Sequence, residues 1–449
     1  MDELEQARRI IDKTDREMAE LFCRRMNAVK QVALYKAEHG LPVLDAAREQ
    51  RVIDAGLEAL GDDALAPYYE QVIRCRMALS RHYQADLLAG KEEKRRMDMS
   101  MKLTMRLGEH GYDIIIKRGC LGWLGQLAHL ERRVLVVTDD GVPAQYAQTV
   151  CDQCREGTIL TVPQGEASKS LAVYARILQA ALDAGLGRGD LIVAVGGGVV
   201  GDLAAFAAAT YLRGIDFINC PTTFLAQVDS SIGGKAALDL GGTKNVVGAF
   251  WQPRLVLIDP DTLNTLPRRH WVNGMAEAMK MSLLCDPELF SIFEEEDPFE
   301  KMEEILYHSL VIKKNVVEKD EHDHGQRMAL NFGHTLGHGI EAVRGVCGRR
   351  TNGYYHGECV ALGMLPMIED KQLAKRVRAV YRKLGLPLRG SYDKEKVLQF
   401  MRQDKKVGGD FIKVVKVPGL GCWRLDTLPI QCLEDLVYGR PLPLPEPRP

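Results

Sequence analysis

Apolar residues Leu4, Ile11, Met18, Leu21, Phe22, Val29 and Val32 recur at helical spacing from the start of the chain. They predict a single long helix with one apolar face. Gly40-Leu-Pro42 interrupts it, Asp45 offers a side-chain cap to a second helix, and Pro67 opens a third that runs towards Leu88. Three such helices enclose little core by themselves, so this module is expected to pack against a second copy as a homodimer. The charged, unperiodic run from Gly90 to Met101 marks a linker. The pattern then changes. Arg133-Val-Leu-Val-Val-Thr, Gly157-Thr-Ile-Leu-Thr-Val and Asp190-Leu-Ile-Val-Ala-Val-Gly are short apolar strands bounded by turn residues and separated by helical stretches. That alternation implies a parallel, nucleotide-binding sheet. Strand signals thin out after about residue 268 and helical segments take over. The expected fold is multidomain, with a helical module over 1–89, a linker over 90–102, an α/β nucleotide-binding domain over 103–267 and a mainly helical domain over 268–449.

Composition narrows the function classes. The 449 residues carry 59 basic and 61 acidic side chains, a net charge of -2, so nothing in the total charge draws the chain to nucleic acid or an anionic membrane. The N-terminal MDELEQARRIIDK lacks an apolar h-region, and the most apolar stretch, Leu191 to Leu212, is broken by four glycines and Asp202. A cytoplasmic protein acting on small molecules is expected. Eleven scattered cysteines fit reduced thiols, and the single CxxC, Cys151 to Cys154, falls at a helix end where such spacing arises readily by chance.

Candidate chemistry gathers in three places. The segment Asn331-Phe-Gly-His334-Thr-Leu-Gly-His338-Gly, followed by His356-Gly-Glu358, brings three of the chain's 11 imidazoles within 23 positions. On a helix, His334 and His338 leave one face together, where they either bind a transition ion or are satisfied by backbone carbonyls. His356 and an upstream acid, Glu277, favour the metal. Second, Gly196-Gly-Gly198-Val-Val-Gly201-Asp202 follows a buried strand and opens an alanine-rich helix, which suits either a pyrophosphate on backbone amides or merely a tight strand-to-helix turn. Thr138-Asp139, and Gly165-Glu166 with Lys169, follow other strands, where ribose and phosphate would lie. Third, Arg213, Lys235, Lys244, Lys280, Lys313, Arg327 and Lys405-Lys406, several beside glycines or Asn245 and Asn331, suit a phosphorylated, carboxylated substrate.

From about residue 103 to the C-terminus these residues resemble 3-dehydroquinate synthase. The resemblance rests on Pro221-Thr-Thr-Phe-Leu-Ala-Gln-Val-Asp229-Ser-Ser-Ile-Gly-Gly-Lys235, on Lys244-Asn245-Val-Val-Gly and on Leu330-Asn-Phe-Gly-His-Thr-Leu-Gly-His338, in that order. It implies a zinc or cobalt ion held by Glu277, His334 and His356, with His338 turned instead to the substrate phosphate, which corrects the helix-face reading. It implies NAD on Asp139, Gly165, Glu166, Lys169, Gly197, Gly198, Asp202, Thr222, Thr223, Asp229, Lys235, Lys244, Asn245 and Thr262. Gly141 stands where the family has an Asn. The implied reaction takes 3-deoxy-arabino-heptulosonate 7-phosphate to 3-dehydroquinate and phosphate. Lys235, Lys313, Asn331, His338, Arg327 and Lys405 would hold phosphate and carboxylate, with Asp229 and Lys280 near the carbinol and Arg213 reaching in from a second subunit. Related sugar phosphate cyclases and polyol dehydrogenases share the architecture and remain alternatives.

On the long helix Arg25 and Lys36 lie 11 residues apart, about three turns, and project from one side, with Arg8 a quarter turn off. Asp45, Arg48 and Glu49, and Ser80 with Gln84, form short clusters at i, i+3 and i, i+4. Each alone suits a solvated face. As a set, over residues 1 to about 88, they resemble the all-helical chorismate mutases. That resemblance implies that the arginines and lysine bind the carboxylates of chorismate, with Arg8 crossing from the other protomer, and that Lys36 and Gln84 meet the ether oxygen whose bond breaks to give prephenate. The chain is thus expected to be bifunctional. The alternative is a dimerising or chorismate- and prephenate-sensing module regulating the synthase.

Overall fold

The computed structural model describes residues 3–39, 46–78, 80, 81, 84, 101–344, 353–405, 410–440 and 442. Asp45, Lys406, the Gly40-Leu-Pro42 break and linker positions 90–100 lie outside them, as does the side chain of Lys405. The chain divides into two compact units, Met1–Ser100 and Met101–Pro449.

In the first unit the uninterrupted apolar period forms α1, Glu3–Glu38, a helix of 36 residues and so about 54 Å long. It is followed by α2, Ala46–Leu60, and by α3 over residues 66–78. The core is small: Ile53, Ile73 and Met77, backed by Val52, Leu57 and Tyr69. Much of the α1 stripe stays uncovered, with Ile10 63%, Ile11 58%, Met18 54% and Leu21 58% exposed.

The second unit is built on a seven-stranded sheet. In chain order its strands are β1 (Met101–Met105), β2 (Tyr112–Ile116), β3 (Arg133–Asp139), β4 (Glu156–Val162), β5 (Leu191–Gly196), β6 (Asp216–Pro221) and β9 (Leu255–Ile258). The spatial order is β1-β2-β9-β6-β5-β3-β4, antiparallel only between β1 and β2. Two antiparallel hairpins stand apart from it, β7 (Lys235–Leu240) with β8 (Thr243–Phe250) and β10 (Phe411–Gly419) with β11 (Cys422–Pro429). Strand β1 starts at Met101, inside the stretch expected to be linker. Its Met101 pairs with Ile116, and the Lys102 ammonium lies 2.8 Å from Asp113. The β10–β11 hairpin is the strand component of the C-terminal stretch expected to be mainly helical; the apolar alternation of its strands is short and was submerged in the helical pattern around it.

Strand β3 shows why the sheet is closed on both faces. Leu135 and Val137 enter one core with Ile192 and Ala194, covered by α6 (Leu171–Asp183) and α7 (Gly198–Thr210). Val134 and Val136 enter the opposite core with Leu191 and Val193, covered by Ala147 and Val150 of α5 (Ala144–Cys151) and by Leu124 of the single turn α4 (Leu124–Leu127). Continuous apolar runs, rather than alternating ones, are what such strands require.

The helical part centres on α8, Arg268–Cys285, buried from Val272 to Leu284. Around it lie α9 (Pro287–Glu295), α10 (Met302–Lys319), α11 (His334–Arg344), α12 (His356–Met364), α13 (Lys371–Leu384), α14 (Lys394–Lys405) and α15 (Cys432–Tyr438). Helices α11 and α12 cross nearly backbone to backbone, since a Cβ built on Gly363 would lie 1.9 Å from the carbonyl oxygen of Gly333. No helix among the described residues is long and apolar enough to cross a membrane. Gly363→Ala is expected to force these helices apart and to destabilise this unit by roughly 1–3 kcal/mol. Urea unfolding checks this, and an unchanged midpoint would show that the crossing tolerates a methyl group.

Candidate active sites

The helix crossing brings the three predicted metal ligands together. Glu277 comes from the buried middle of α8, His334 from the first residue of α11 and His356 from the first residue of α12. Glu277 Oε1 lies 3.7 Å from His334 Nε2 and 3.3 Å from His356 Nε2. Ligands about 2.1 Å from one tetrahedral ion are about 3.4 Å from each other, so the spacing is that of a single metal site. The second ring nitrogens are engaged: His334 Nδ1 lies 3.1 Å from the Phe332 carbonyl oxygen and His356 Nδ1 3.2 Å from Glu341 Oε2. With Nδ1–H donating to those oxygens, Nε2 is the nitrogen left for an ion on each ring, at once on His334 and after loss of a proton on His356.

Glu277 is fully buried and neither of its oxygens has a hydrogen-bond partner, although the Lys280 ammonium is in ion-pair contact. A buried carboxylate without an aligned donor is costly unless a cation completes it. Burial works against its charge, but Lys280, His334 and His356 hold its pKa well below the carboxylate range. The His334 pKa is lowered as well, by burial and by Lys280, which keeps that ring neutral. The residues therefore fit a divalent metal.

Around this triangle the substrate residues assemble unevenly. Lys313 Nζ lies 2.6 Å from Asp229 Oδ1, and Asp229 sits in a π-turn, Ala226–Ser230, of the kind that marks functional irregularities. Burial opposes the Asp229 charge, but Lys313 and Lys280 keep the carboxyl below its usual value. Burial lowers the Lys313 pKa, with Arg327 adding repulsion. The Arg327 guanidinium donates to the carbonyls of Glu321 and Gly233, and Lys235 pairs with Asp323 at 2.5 Å. Both hold the loops that frame the site. His338 and Asn331 line a cavity of about 270 Å³ with His334, Thr335, Met328, Phe400 and Lys413. Met328, Phe400 and Lys413 were missed from the sequence, where no spacing links strand β10 to α11. Arg213 is exposed, in a run of left-handed backbone: Leu212 at φ 50, itself at φ 70 and Gly214 at φ 119. Such strain in non-glycine residues marks a segment held for a purpose.

The nucleotide residues converge at the carboxyl ends of β3, β4 and β5. Gly197 caps α7, and Cβ atoms on Gly197 and Gly198 would lie 3.0 Å from Thr223 Cγ2 and 3.0 Å from Ser230 Oγ respectively. A side chain at either position would crowd Thr223 or Ser230, so glycine suits the turn that opens α7, a helix N-terminus of the kind that takes a pyrophosphate. Lys169 Nζ lies 2.6 Å from Asp202 and also contacts Asn245, while Lys244 Nζ lies 3.1 Å from Glu166. Asp139 Oδ1 accepts the Gly141 N–H at 2.9 Å, and a Cβ on Gly141 would lie 2.2 Å from Gln164 Cδ, so Gln164 fills the space of the family's Asn. Gly165 has φ +104, and Thr222 is buried. Thr262 stands apart, its hydroxyl donating to Asp259 and accepting from Gln227. The site fits a dinucleotide.

In the helical unit Arg25 Nη1 donates to Ser80 Oγ at 2.5 Å, and Ser80 passes its proton to the Arg76 carbonyl at 2.6 Å. Burial and the charge of Arg76 both lower the Arg25 pKa, the mark of two cations gathered for an anion. Arg76 Nε and Gln84 Oε1 are buried without a hydrogen-bond partner, and residues 76, 80 and 84 form one stripe of successive turns. Arg76 was missed from the sequence, although its i, i+4 relation to Ser80 was visible there. Glu49 pairs with Arg81 at 2.5 Å. Lys36 is half-buried; Arg8 and Arg48 are exposed.

Comparison with known proteins follows the same division. Residues 159–273 match the profile of the 3-dehydroquinate synthase N-terminal domain, 274–407 that of its C-terminal domain and 7–85 that of chorismate mutase type II. The 3-dehydroquinate synthase of Streptococcus mutans is 41% identical over 356 residues, covering 75% of this chain and 99% of that protein. That of Streptococcus sanguinis is 40% identical over 359 residues, with the same coverage of 75% and 99%. Among solved structures, 2-deoxy-scyllo-inosose synthase complexed with carbaglucose-6-phosphate, NAD+ and Co2+ has a TM-score of 0.67 at 24% identity, covering 76% of this chain and 100% of its own. The 2-epi-5-epi-valiolone synthase of Streptomyces hygroscopicus, with NAD+ and Zn2+ bound, has a TM-score of 0.66 at 23% identity, covering 73% and 96%. These two likenesses establish the fold alone. The chain belongs to the 3-dehydroquinate synthase family and carries a chorismate mutase type II domain ahead of the synthase.

Proposed function

We propose that the second unit converts 3-deoxy-arabino-heptulosonate 7-phosphate to 3-dehydroquinate and phosphate, and that the first converts chorismate to prephenate. The observation that carries the synthase assignment is the Glu277, His334, His356 triangle beside Asp229, Lys280 and Lys313. When bound, NAD+ supplies a reversible hydride acceptor and the divalent ion a Lewis acid for the substrate hydroxyls. The chain's own residues do the rest. Asp229, kept ionised between Lys280 and Lys313, orients the carbinol. His338, Asn331 and the cations hold phosphate and carboxylate, so the leaving phosphate can itself accept the proton lost at the neighbouring carbon. Arg213, strained and exposed, is assigned to the active site of a second subunit. The uncovered apolar face of α1 supports a homodimer through the helical unit.

In the mutase half, Arg25, Arg76 and Lys36 would hold the substrate carboxylates and Gln84 the ether oxygen. The rearrangement then needs only a folded substrate and stabilised charge separation.

Glu277→Gln is expected to lower synthase kcat/KM by at least about 10³-fold while leaving prephenate formation intact, because charge at the metal site supplies the largest part of such catalysis. Arg25→Ala should do the reverse, lowering mutase kcat/KM by about 10²–10³-fold with the synthase unaffected. Product analysis by NMR with each substrate separately decides both; parallel loss of the two activities would contradict the division of labour.

Metal uptake should release a proton. Burial lowers the His356 pKa, but Glu277 and Glu341 outweigh it and raise it to about 10, whereas His334 stays neutral. Below that pH the imidazolium of the metal-free protein competes with the ion. Affinity should therefore fall about tenfold per unit as pH drops, down to where carboxylates begin to titrate. Calorimetry of Zn2+ binding in two buffers of different ionisation enthalpy should count about one proton; a count of zero would remove His356 from the ligand set.

A further inference from the structure

Glu341 carries no role in any reading of the sequence, yet it lies where the metal and nucleotide residues meet. It follows His334 and His338 at i+7 and i+3 on one face of α11 and is 5% exposed. One oxygen, Oε2, lies 3.2 Å from His356 Nδ1; the other, Oε1, lies 2.9 Å from Lys244 Nζ. Lys244 in turn lies 3.1 Å from Glu166, the residue that opens the turn ending at Lys169, and Lys169 reaches Asp202 at the start of α7.

We infer that Glu341 is a positioning residue for His356, and that through Lys244 and Glu166 it couples metal binding to dinucleotide binding. A carboxylate on the outer nitrogen of a ligating imidazole fixes its tautomer and ring angle and strengthens its inner nitrogen as a donor. His338, Glu341 and His356 also bring donor atoms within 4.8 Å of one another, so Glu341 could in principle serve a displaced ion. The Lys244 ammonium on Oε1 disfavours that, because a second cation would meet like charge. The same ammonium is shared with Glu166. An ion at Glu277, His334 and His356 holds His356, hence Glu341, Lys244 and Glu166, in the arrangement the dinucleotide meets, so the ordering cost is met before it arrives. Linkage requires the reverse effect to be equal.

The positioning role stands on the geometry alone; the coupling also rests on the nucleotide reading proposed above. The test uses the full chain with Co2+ and NAD+ as probes. Glu341→Ala is expected to weaken Co2+ binding about 10–100-fold and to shift the visible absorption of the bound ion, with Glu341→Gln, which keeps an acceptor for Nδ1–H, restoring part of both. In the wild type, saturating Co2+ should tighten NAD+ roughly fivefold and the reverse; in Lys244→Met the ratio of NAD+ affinities with and without Co2+ should fall to about one, whatever the NAD+ affinity itself. Wild-type Co2+ affinity and spectrum in Glu341→Ala would overturn the positioning role. Should that variant fail to fold by circular dichroism, an unaltered affinity and spectrum in Glu341→Gln would overturn it equally. NAD+ affinity indifferent to Co2+ in the wild type would overturn the coupling. No NAD+ binding by the wild type at all would instead overturn the nucleotide reading and the coupling with it, leaving the Co2+ arm to judge Glu341.

Discussion

A carboxylate buried inside the protein and kept charged by the groups packed against it is the constraint on which the larger unit turns. Glu277 is buried in the middle of α8, and its charge is sustained by Lys280 one turn later and by two imidazoles from other helices. Remove those neighbours and the group would either protonate or unfold the helix around it. The sheet, the glycine crossing of α11 and α12 and the buried face of α8 can all be understood as the scaffold that keeps this unfavourable arrangement in place. Catalytic proteins commonly store such local cost where an ion or substrate will relieve it.

The two units arrange their clustered charges in different ways. The helical unit gathers Arg25 and Arg76 around one helical stripe, where Arg76 Nε and Gln84 Oε1 are buried without a partner. The synthase unit instead interleaves charges of both signs: Asp229 between Lys313 and Lys280, Lys169 between Asp202 and Glu166, Lys244 between Glu166 and Glu341. Alternation keeps each buried ion paired and tunes the field at chosen atoms.

What could be read from the chain follows how local each signal is. Buried parallel strands show as unbroken apolar runs, so β3 and β5 were visible, whereas the largely exposed edge strand β4 showed through its β-branched residues and bounding turns. Strand β1 carries Lys102 and Thr104 beside a charged run, and its apolar partner β2 is short, so neither stood out. Arg8, Arg25 and Lys36 could be placed on one helix by periodicity alone. Lys413, by contrast, reaches the cavity beside His338 only because β10 folds back on it, a long-range contact with no trace in spacing. Glu341 escaped for another reason. Its seven-residue step from His334 was plain, but its importance comes from Lys244, nearly a hundred positions away. The helical spacing of His334 and His338 was also plain and by itself suggested that both bind the ion; the structure groups Glu277, His334 and His356 instead, with His338 facing the cavity.

The crossing of Gly333 and Gly363 has a consequence for ion choice. Two helices in backbone contact have one registry: they can neither slide past nor move closer to each other without colliding. The gap between the imidazoles they carry is therefore set by packing, not by the rings themselves. A larger cation such as Ca2+, which also prefers oxygen ligands to imidazoles, could widen the site only by giving up this packed seam.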